Sequence, residues 1–277
     1  MKNVDKSVLK NYRGRFPFKL ATTSYIYPDE IAPNVARLAP YFEEIELVLF
    51  ESRSQDNIQV KRLIELSSLH RVGFNVHLPI DISLGDASEK IRRNGISVVK
   101  NLIEQTLCLN PSLYTLHLEF INPPNPSLLK GGKGEFMQDP DIEGWRRRLV
   151  QCLKEIMDDG IESKRISVEN LEYPFEWIED IVKDFGFSIC LDIGHILIHG
   201  YDLQHYLKKY LPGTSIIHLY GIQNGTDHLE IGKLSNPVLR TILSCLHHYH
   251  GIVSIEVFSI DALKSSLTIL EEEWIEN

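Results

Sequence analysis

The segment "SICLDIGHIL" carries an apolar run into Asp192 and His195, two side chains able to hold a metal ion or move a proton. Five other segments share this design. In "GFNVHLP" Phe74, Val76 and Leu78 alternate with Asn75 and His77, and in "LYTLHLEF" Tyr114, Leu116 and Leu118 alternate with Thr115, His117 and Glu119. "RISVEN" opposes Ile166 and Val168 to Ser167 and Glu169. "SIIHLYG" sets Ile217 and Leu219 against His218, and "GIVSIEVF" sets Val253, Ile255 and Val257 against Ser254 and Glu256. Alternate residues of a strand share a face. One face is therefore apolar in all six, while the other carries His77, His117, Glu169, Asp192, His218 or Glu256 near its C-terminal end. A single His or Glu at a strand end is ordinarily a hydrogen-bonded structural residue. Six in one phase, all of metal-ligand type, would bury too much charge unless something compensates it, and divalent cations do so.

His195 lies three positions after Asp192 and would point outward on a straight strand, so Gly194 is expected to let the chain turn and return it. Asp227 and the adjacent His228 follow the seventh segment in "NGTDHLE"; a loop Asx turn with a surface histidine accounts for that pair equally well. His199, His205, His247, His248 and His250 fall in helical or helix-adjacent stretches and read as structural. Glu169, Asp192, His218 and Glu256 would suffice for one ion or a bridged pair. His77, His117, His195 and Asp227 are then surplus, which argues for two or three divalent metal ions. Sites rich in imidazole favour zinc or another transition metal, such as manganese or iron, over magnesium. Clustered ions suit phosphate-ester hydrolysis, because they activate water, neutralise phosphoryl oxygens and stabilise the leaving alkoxide. Glu169 and Glu256 are the expected catalytic carboxylates, holding the ions or relaying protons.

Such residues need elements to position them. β-rich runs at 18–25, 45–50, 73–79, 113–120, 165–170, 187–194, 215–221 and 251–258 alternate with stretches of helical periodicity such as "EKIRRNGISVVKNLIEQTLC" and "DIEGWRRRLVQCLKEIMDD". Regular β-α alternation implies a parallel sheet with right-handed crossovers. Eight units without a break in composition predict an α/β fold, a single (β/α)8 TIM barrel spanning 1–277, with residues 1–16 as an N-terminal extension. An open doubly wound sheet is the runner-up. Residues 121–140, rich in Pro and Gly, read as a long loop after the fourth strand, where Lys130 and Lys133 are candidates for substrate contact or mere solubility.

Composition narrows the classes. The 277 residues are 43% hydrophobic and 24% charged, as in ordinary soluble proteins. The net charge of −9 argues against a duplex-DNA partner, which calls for a basic excess. The Arg146–Arg148 triplet reads as a solvated helix face. The N-terminus has no apolar core of a signal peptide, and no apolar run nears the roughly 18 residues that span a bilayer, so a cytoplasmic protein without a membrane partner is expected. Cys108, Cys152, Cys190 and Cys245 form no CxxC pair and read as reduced core residues.

The set His77, His117, Glu169, Asp192, His195, His218, Asp227 and Glu256 resembles the endonuclease-IV-like branch of the xylose-isomerase-like barrels. That resemblance implies three zinc ions and phosphodiester cleavage. The branch's Asp-x-x-His is matched by "DIGH", whereas its Asp-x-His is replaced here by adjacent Asp227 and His228, which puts His228 in question as a ligand. A resemblance covering nearly the whole chain, through "FPFKLATTSYIYPDEIAPNVARLAPYFEEIELVLFES", "VENLEYPFEWI", "CLDIGHILIHGYDL" and "IEVFSIDALKSSL", is to the cobamide-remodelling phosphodiesterases. It implies a small-molecule corrinoid substrate, whose nucleotide-loop phosphoester is hydrolysed to leave cobinamide phosphate. Three alternatives remain open: a sugar isomerase or epimerase using one ion and the Glu169–Glu256 pair, an abasic-site endonuclease, and a barrel that sequesters its ligand without turnover.

Overall fold

A computed structural model describes residues 9–52, 58–120 and 141–276. Along the chain run the strands β1 (Lys19–Thr23), β2 (Glu44–Val48), β3 (Gly73–His77), β4 (Tyr114–Leu116), β5 (Ile166–Glu169), β6 (Ser188–Asp192) and β7 (Thr214–Leu219). A two-stranded hairpin, β8 (Gly221–Gln223) and β9 (Thr226–Leu229), precedes the last strand, β10 (Ile252–Ile255). β1 pairs with β2, placing Thr23 opposite Glu46, and also with β10, placing Ala21 opposite Ser254. The parallel sheet thus closes into an eight-stranded barrel, in the order β1-β10-β7-β6-β5-β4-β3-β2. Closure overturns the open doubly wound alternative, because no strand of this sheet is left with a free edge.

The helices α1 (Ile31–Leu38), α2 (Val60–His70), α3 (Glu89–Thr106), α4 (Ile142–Met157), α5 (Glu179–Phe185), α6 (Ile193–Ile198), α7 (Leu203–Tyr210), α8 (Asn236–Leu246) and α9 (Ile260–Glu276) follow the strands. α4 shows how the sequence makes one. Asp141 caps it, its carboxylate accepting from the Gly144 N–H at 2.8 Å. Trp145, Leu149, Cys152, Leu153 and Ile156 then recur at three- and four-residue spacing and are buried. None of the described helices is long and apolar enough to cross a membrane.

Strand alternation sorts the core into two compartments. Phe74, Val76, Tyr114, Leu116, Ile166, Val168, Leu191, Ile217, Val253 and Ile255 belong to one large apolar cluster with the helix side chains. Inside the barrel, Ala21, Leu113, Cys190, Ile216 and Ile252 form a small separate cluster. Elsewhere the interior is polar, with Asn75, Thr115, Ser167 and Ser254 all fully buried. Metal-ligand types come next.

Several expectations need adjusting. Cys108 is exposed on a short turn after α3, and Cys245 is only half-buried, so the core reading holds for Cys152 and Cys190 alone. The arginine triplet is not simply solvated. Arg146 pairs with Asp180 at 2.5 Å, and Arg148 donates to the Gly85 carbonyl at 2.7 Å, leaving Arg147 exposed. Of the N-terminal extension, Leu9 and Tyr12 are buried, and Arg13 donates to the carbonyls of His70 and Ala39 at the C-terminal ends of α2 and α1. Residues 121–140, with Lys130 and Lys133, lie outside the described residues.

Candidate metal centre

Glu169, the last residue of β5, lies at the middle of the inward-facing groups and is 2% exposed. The Nε2 atoms of His117 and His77 approach its Oε2 at 2.9 and 3.3 Å. Its Oε1 faces Nδ1 of His195 at 3.4 Å and Nδ1 of His218 at 3.5 Å. The far sides of the first two rings are anchored. His77 Nδ1 meets the Leu78 carbonyl at 2.9 Å, and His117 Nδ1 meets Glu119 at 3.2 Å. In His195 the same Nδ1 that faces Glu169 meets the Asn170 carbonyl at 3.0 Å. A ring nitrogen that donates to such a partner leaves the other nitrogen's lone pair for an ion, the usual arrangement around a metal-binding histidine.

Asp192 and His195 reach the site by another route than the one expected. β6 ends at Asp192, which caps α6: its Oδ1 accepts from the His195 N–H at 2.6 Å. The spacing Asp-x-x-His is therefore a cap followed by a first-turn residue. Gly194 is helical and takes no left-handed turn. It is glycine because the ring of Tyr220 occupies the space a Cβ would need, while the Tyr220 hydroxyl donates to Asp192 Oδ1 at 2.9 Å. Asn170 completes the support, accepting from the Asp192 N–H at 2.7 Å and donating to the Asp192 carbonyl at 3.0 Å.

A β-bulge sets the level of His218. The β6–β7 register shifts between Ile189 and Cys190, after which Asp192 lies directly opposite His218. Without that extra residue on β7, an outward-facing Ile217 would stand there. His218 Nδ1 lies 3.1 Å from Glu256 Oε2 and 3.6 Å from Asp192 Oδ2. Its Nε2 meets Oε1 of Glu46 at 3.0 Å, and Ser254 donates to the other oxygen of Glu46 at 2.6 Å. Glu46 was not among the candidate residues. β2 alternates Glu44, Glu46 and Val48 with Ile45 and Leu47, the same phase signal, but its inward set ends in valine.

The donors fit a metal ion. Asp192 Oδ2, His218 Nδ1 and Glu256 Oε2 are buried and lack a hydrogen-bond partner, and these three residues offer ligand atoms all within 4.8 Å of one another. Buried polar atoms normally find partners, so three converging orphans with two oxygens and a nitrogen point to a cation. Two further groups, His77–Glu169–His218 and Glu169–Asp192–His195, meet the same criterion among the described residues. Glu169 belongs to both, as a bridging carboxylate would.

The electrostatics agree. Burial works against the imidazolium form of His218, but Cys190, Glu256, Glu46 and Glu169 outweigh it and raise its pKa well above the ordinary range. His117 rises to about 10, since Glu169 and Glu119 overcome its burial. Burial would raise Glu169, yet His117 and His218 hold it well below the usual carboxylate range. Protons on imidazoles and a bound cation are competing ways of neutralising the same carboxylates.

His117 contacts Glu169 but joins none of the three groups, and Asp227 and His228 join none either. The hairpin turns at Asn224 and Gly225, both with positive φ, as an Asn-Gly turn requires. His228, also at φ 50°, places its ring 4.2 Å from that of Tyr220 and its Nδ1 3.9 Å from Glu256 Oε2. His228 is thus brought beside Glu256. From His228 an arc of rings continues through Phe258 (4.9 Å), Phe50 (5.6 Å) and Tyr25 (4.6 Å), with Phe258 exposed at the rim.

Comparison with known proteins places this geometry in context. A family model described as a xylose isomerase-like TIM barrel matches residues 31–276. A D-tagatose 3-epimerase-like protein superposes with a TM-score of 0.72 at 23% identity, covering 94% of this chain and 97% of the other. Endonuclease IV from Thermus thermophilus gives 0.66 at 16% identity, covering 93% and 99%. The IolI protein, solved with a zinc atom bound, gives 0.63 at 14% identity, covering 92% and 97%. At these identities the structural likeness speaks to the fold.

Proposed function

The chain belongs to the xylose isomerase-like TIM-barrel family, and from that premise we propose that it is a metal-dependent phosphodiesterase. Its substrate is a cobamide such as adenosylcobalamin. Hydrolysis of the nucleotide-loop phosphoester adds one water, leaving the phosphate on cobinamide and releasing the riboside as an alcohol. The observation that carries this reading is the sharing of Glu169 between two donor groups. Four residues would serve a single ion; with His77 and His195 added, the centre holds more donors than one ion uses.

Glu169, Asp192, His218 and Glu256 would hold the inner ions, with His77 and His195 on the outer positions and zinc the best match to the donor set. Bound ions supply Lewis acidity toward the phosphoryl oxygens and lower the pKa of water. Around them the protein orients and excludes. Tyr220 and Asn170 fix Asp192, and the rings at the mouth offer flat faces to the nucleotide base. The corrinoid assignment rests on the resemblance of residues 16–52, 168–178, 190–203 and 255–267, the first of which contributes Tyr25 and Phe50 to that arc and the last Phe258. An acidic chain also suits a metabolite better than a DNA duplex.

A second reading has its own observation. Glu169, Asp192, His218 and Glu256 alone are a one-ion set with two carboxylates placed for proton shuttling, as a sugar epimerase needs. Epimerases stand among the structural relatives. The two readings separate in one experiment: incubation with adenosylcobalamin, mass spectrometry of the corrinoid, and metal analysis of the same preparation. Cobinamide phosphate, lost with chelator, is expected together with two or three metals per chain. An unchanged corrinoid with one metal per chain would overturn the proposal in favour of the epimerase.

A further inference from the structure

Beneath the donors lies a carboxylate that no metal group includes. Glu46 on β2 is fully buried inside the barrel, where an isolated charge is costly. Both oxygens are used: Oε1 faces His218 Nε2 at 3.0 Å, and Oε2 accepts from Ser254 at 2.6 Å. Cys190 Sγ also approaches His218 Nε2, but at 3.5 Å, so Glu46 is the nearer acceptor. On the opposite edge of the same ring, Nδ1 faces Glu256, Asp192 and Glu169 at 3.1 to 3.6 Å, none in hydrogen-bond geometry.

We propose that Glu46 is the positioning residue of the metal centre: it accepts the Nε2–H of His218 and thereby commits the Nδ1 lone pair of that imidazole to the ion. A neutral imidazole has one donor and one acceptor nitrogen, so fixing one edge assigns the other. Ser254 holds the carboxylate in place against the ring. The strands enforce the arrangement, because the register places His218 opposite Ser254 and Glu46 opposite Thr23 of β1. A carboxylate behind a metal-binding histidine also raises the ligand's basicity, and its loss commonly weakens metal binding 10- to 100-fold.

The inference rests on reading the centre as a metal site, and its test keeps the two apart. Zinc affinity is measured by chelator competition on the wild-type protein, Glu46→Leu and Glu46→Gln, each checked for folding by circular dichroism. Leucine removes the acceptor at similar volume and is expected to weaken zinc roughly 10- to 100-fold. Glutamine can still present a carbonyl to Nε2–H and should stay within a few-fold of wild type. If wild type itself fails to bind zinc, the metal reading falls. If wild type binds and a folded Glu46→Leu binds equally well, the role of Glu46 falls while the metal reading stands. Should Glu46→Leu not fold, histidine ¹⁵N spectra of the zinc-loaded wild type decide. A protonated, exchange-protected Nε2 on His218 supports the proposal; a zinc-bound Nε2 overturns it.

Discussion

At the scale of single residues, the centre depends on groups that touch no ion. Gly194 has a steric duty, since the Tyr220 ring fills the space where a side chain would begin. Gly194→Ala should push that ring aside, break its hydrogen bond to Asp192 and cost about 1–3 kcal/mol through overpacking. The drop is read as a lowered thermal midpoint, accompanied by loss of zinc. A variant that is as stable and as zinc-loaded as wild type would show that the close approach is unimportant. Glu169→Gln tests the bridge more directly. It removes the negative charge shared by two donor groups at nearly constant volume, so metal content should fall by at least one ion per chain and turnover should be abolished. Unchanged stoichiometry by elemental analysis would show that Glu169 bridges nothing.

At the scale of elements, the loops after the strands build the mouth. The β8–β9 hairpin projects His228 onto Tyr220 and beside Glu256, and the segment after β10 carries Phe258 to the rim. Tyr220 braces Asp192 and His228 stands beside Glu256, whereas Phe258 touches no residue of the metal groups, so it should govern substrate affinity and leave the ions alone. Phe258→Ala removes the exposed ring of the arc. Loss of one stacking contact is expected to raise KM several-fold, equivalent to about 1 kcal/mol, with metal content and kcat little changed. Steady-state kinetics on the corrinoid, or on whichever substrate the first experiment identifies, provides the check. A fall in kcat at constant KM would place Phe258 elsewhere in the mechanism.

For the molecule as a whole, folding and metal binding should be one equilibrium. Glu46, Glu169, Asp192 and Glu256 are all nearly inaccessible to solvent inside one barrel mouth, and such charge favours unfolding unless it is compensated. An ion bound only by the native state stabilises by linkage, about 4 kcal/mol at a thousandfold excess over Kd. In a chain of 277 residues this is on the order of 10 °C in Tm. Scanning fluorimetry with and without chelator should show a shift of that size, restored by zinc. A midpoint indifferent to chelator would mean the carboxylates are compensated by protons alone.

Alternation along the strands and eightfold recurrence were enough to read an α/β barrel and to aim His77, His117, Glu169, Asp192, His218 and Glu256 inward, because side-chain phase is a local property of a strand. What depends on neighbouring strands was not legible. The bulge opposite Cys190 decides that His218 meets Asp192, and bulges arise from register between chains distant in sequence. Gly194 is explained by a tyrosine 26 positions on, and Glu46 by a histidine 172 residues away. The placement of His228 beside Glu256 turned on a left-handed backbone beyond an Asn-Gly turn, where simple alternation no longer holds. The sequence by itself determined which groups face the barrel interior. Only the tertiary structure decided which of them meet, because closure of the sheet sets the relative heights of residues on strands far apart in the chain.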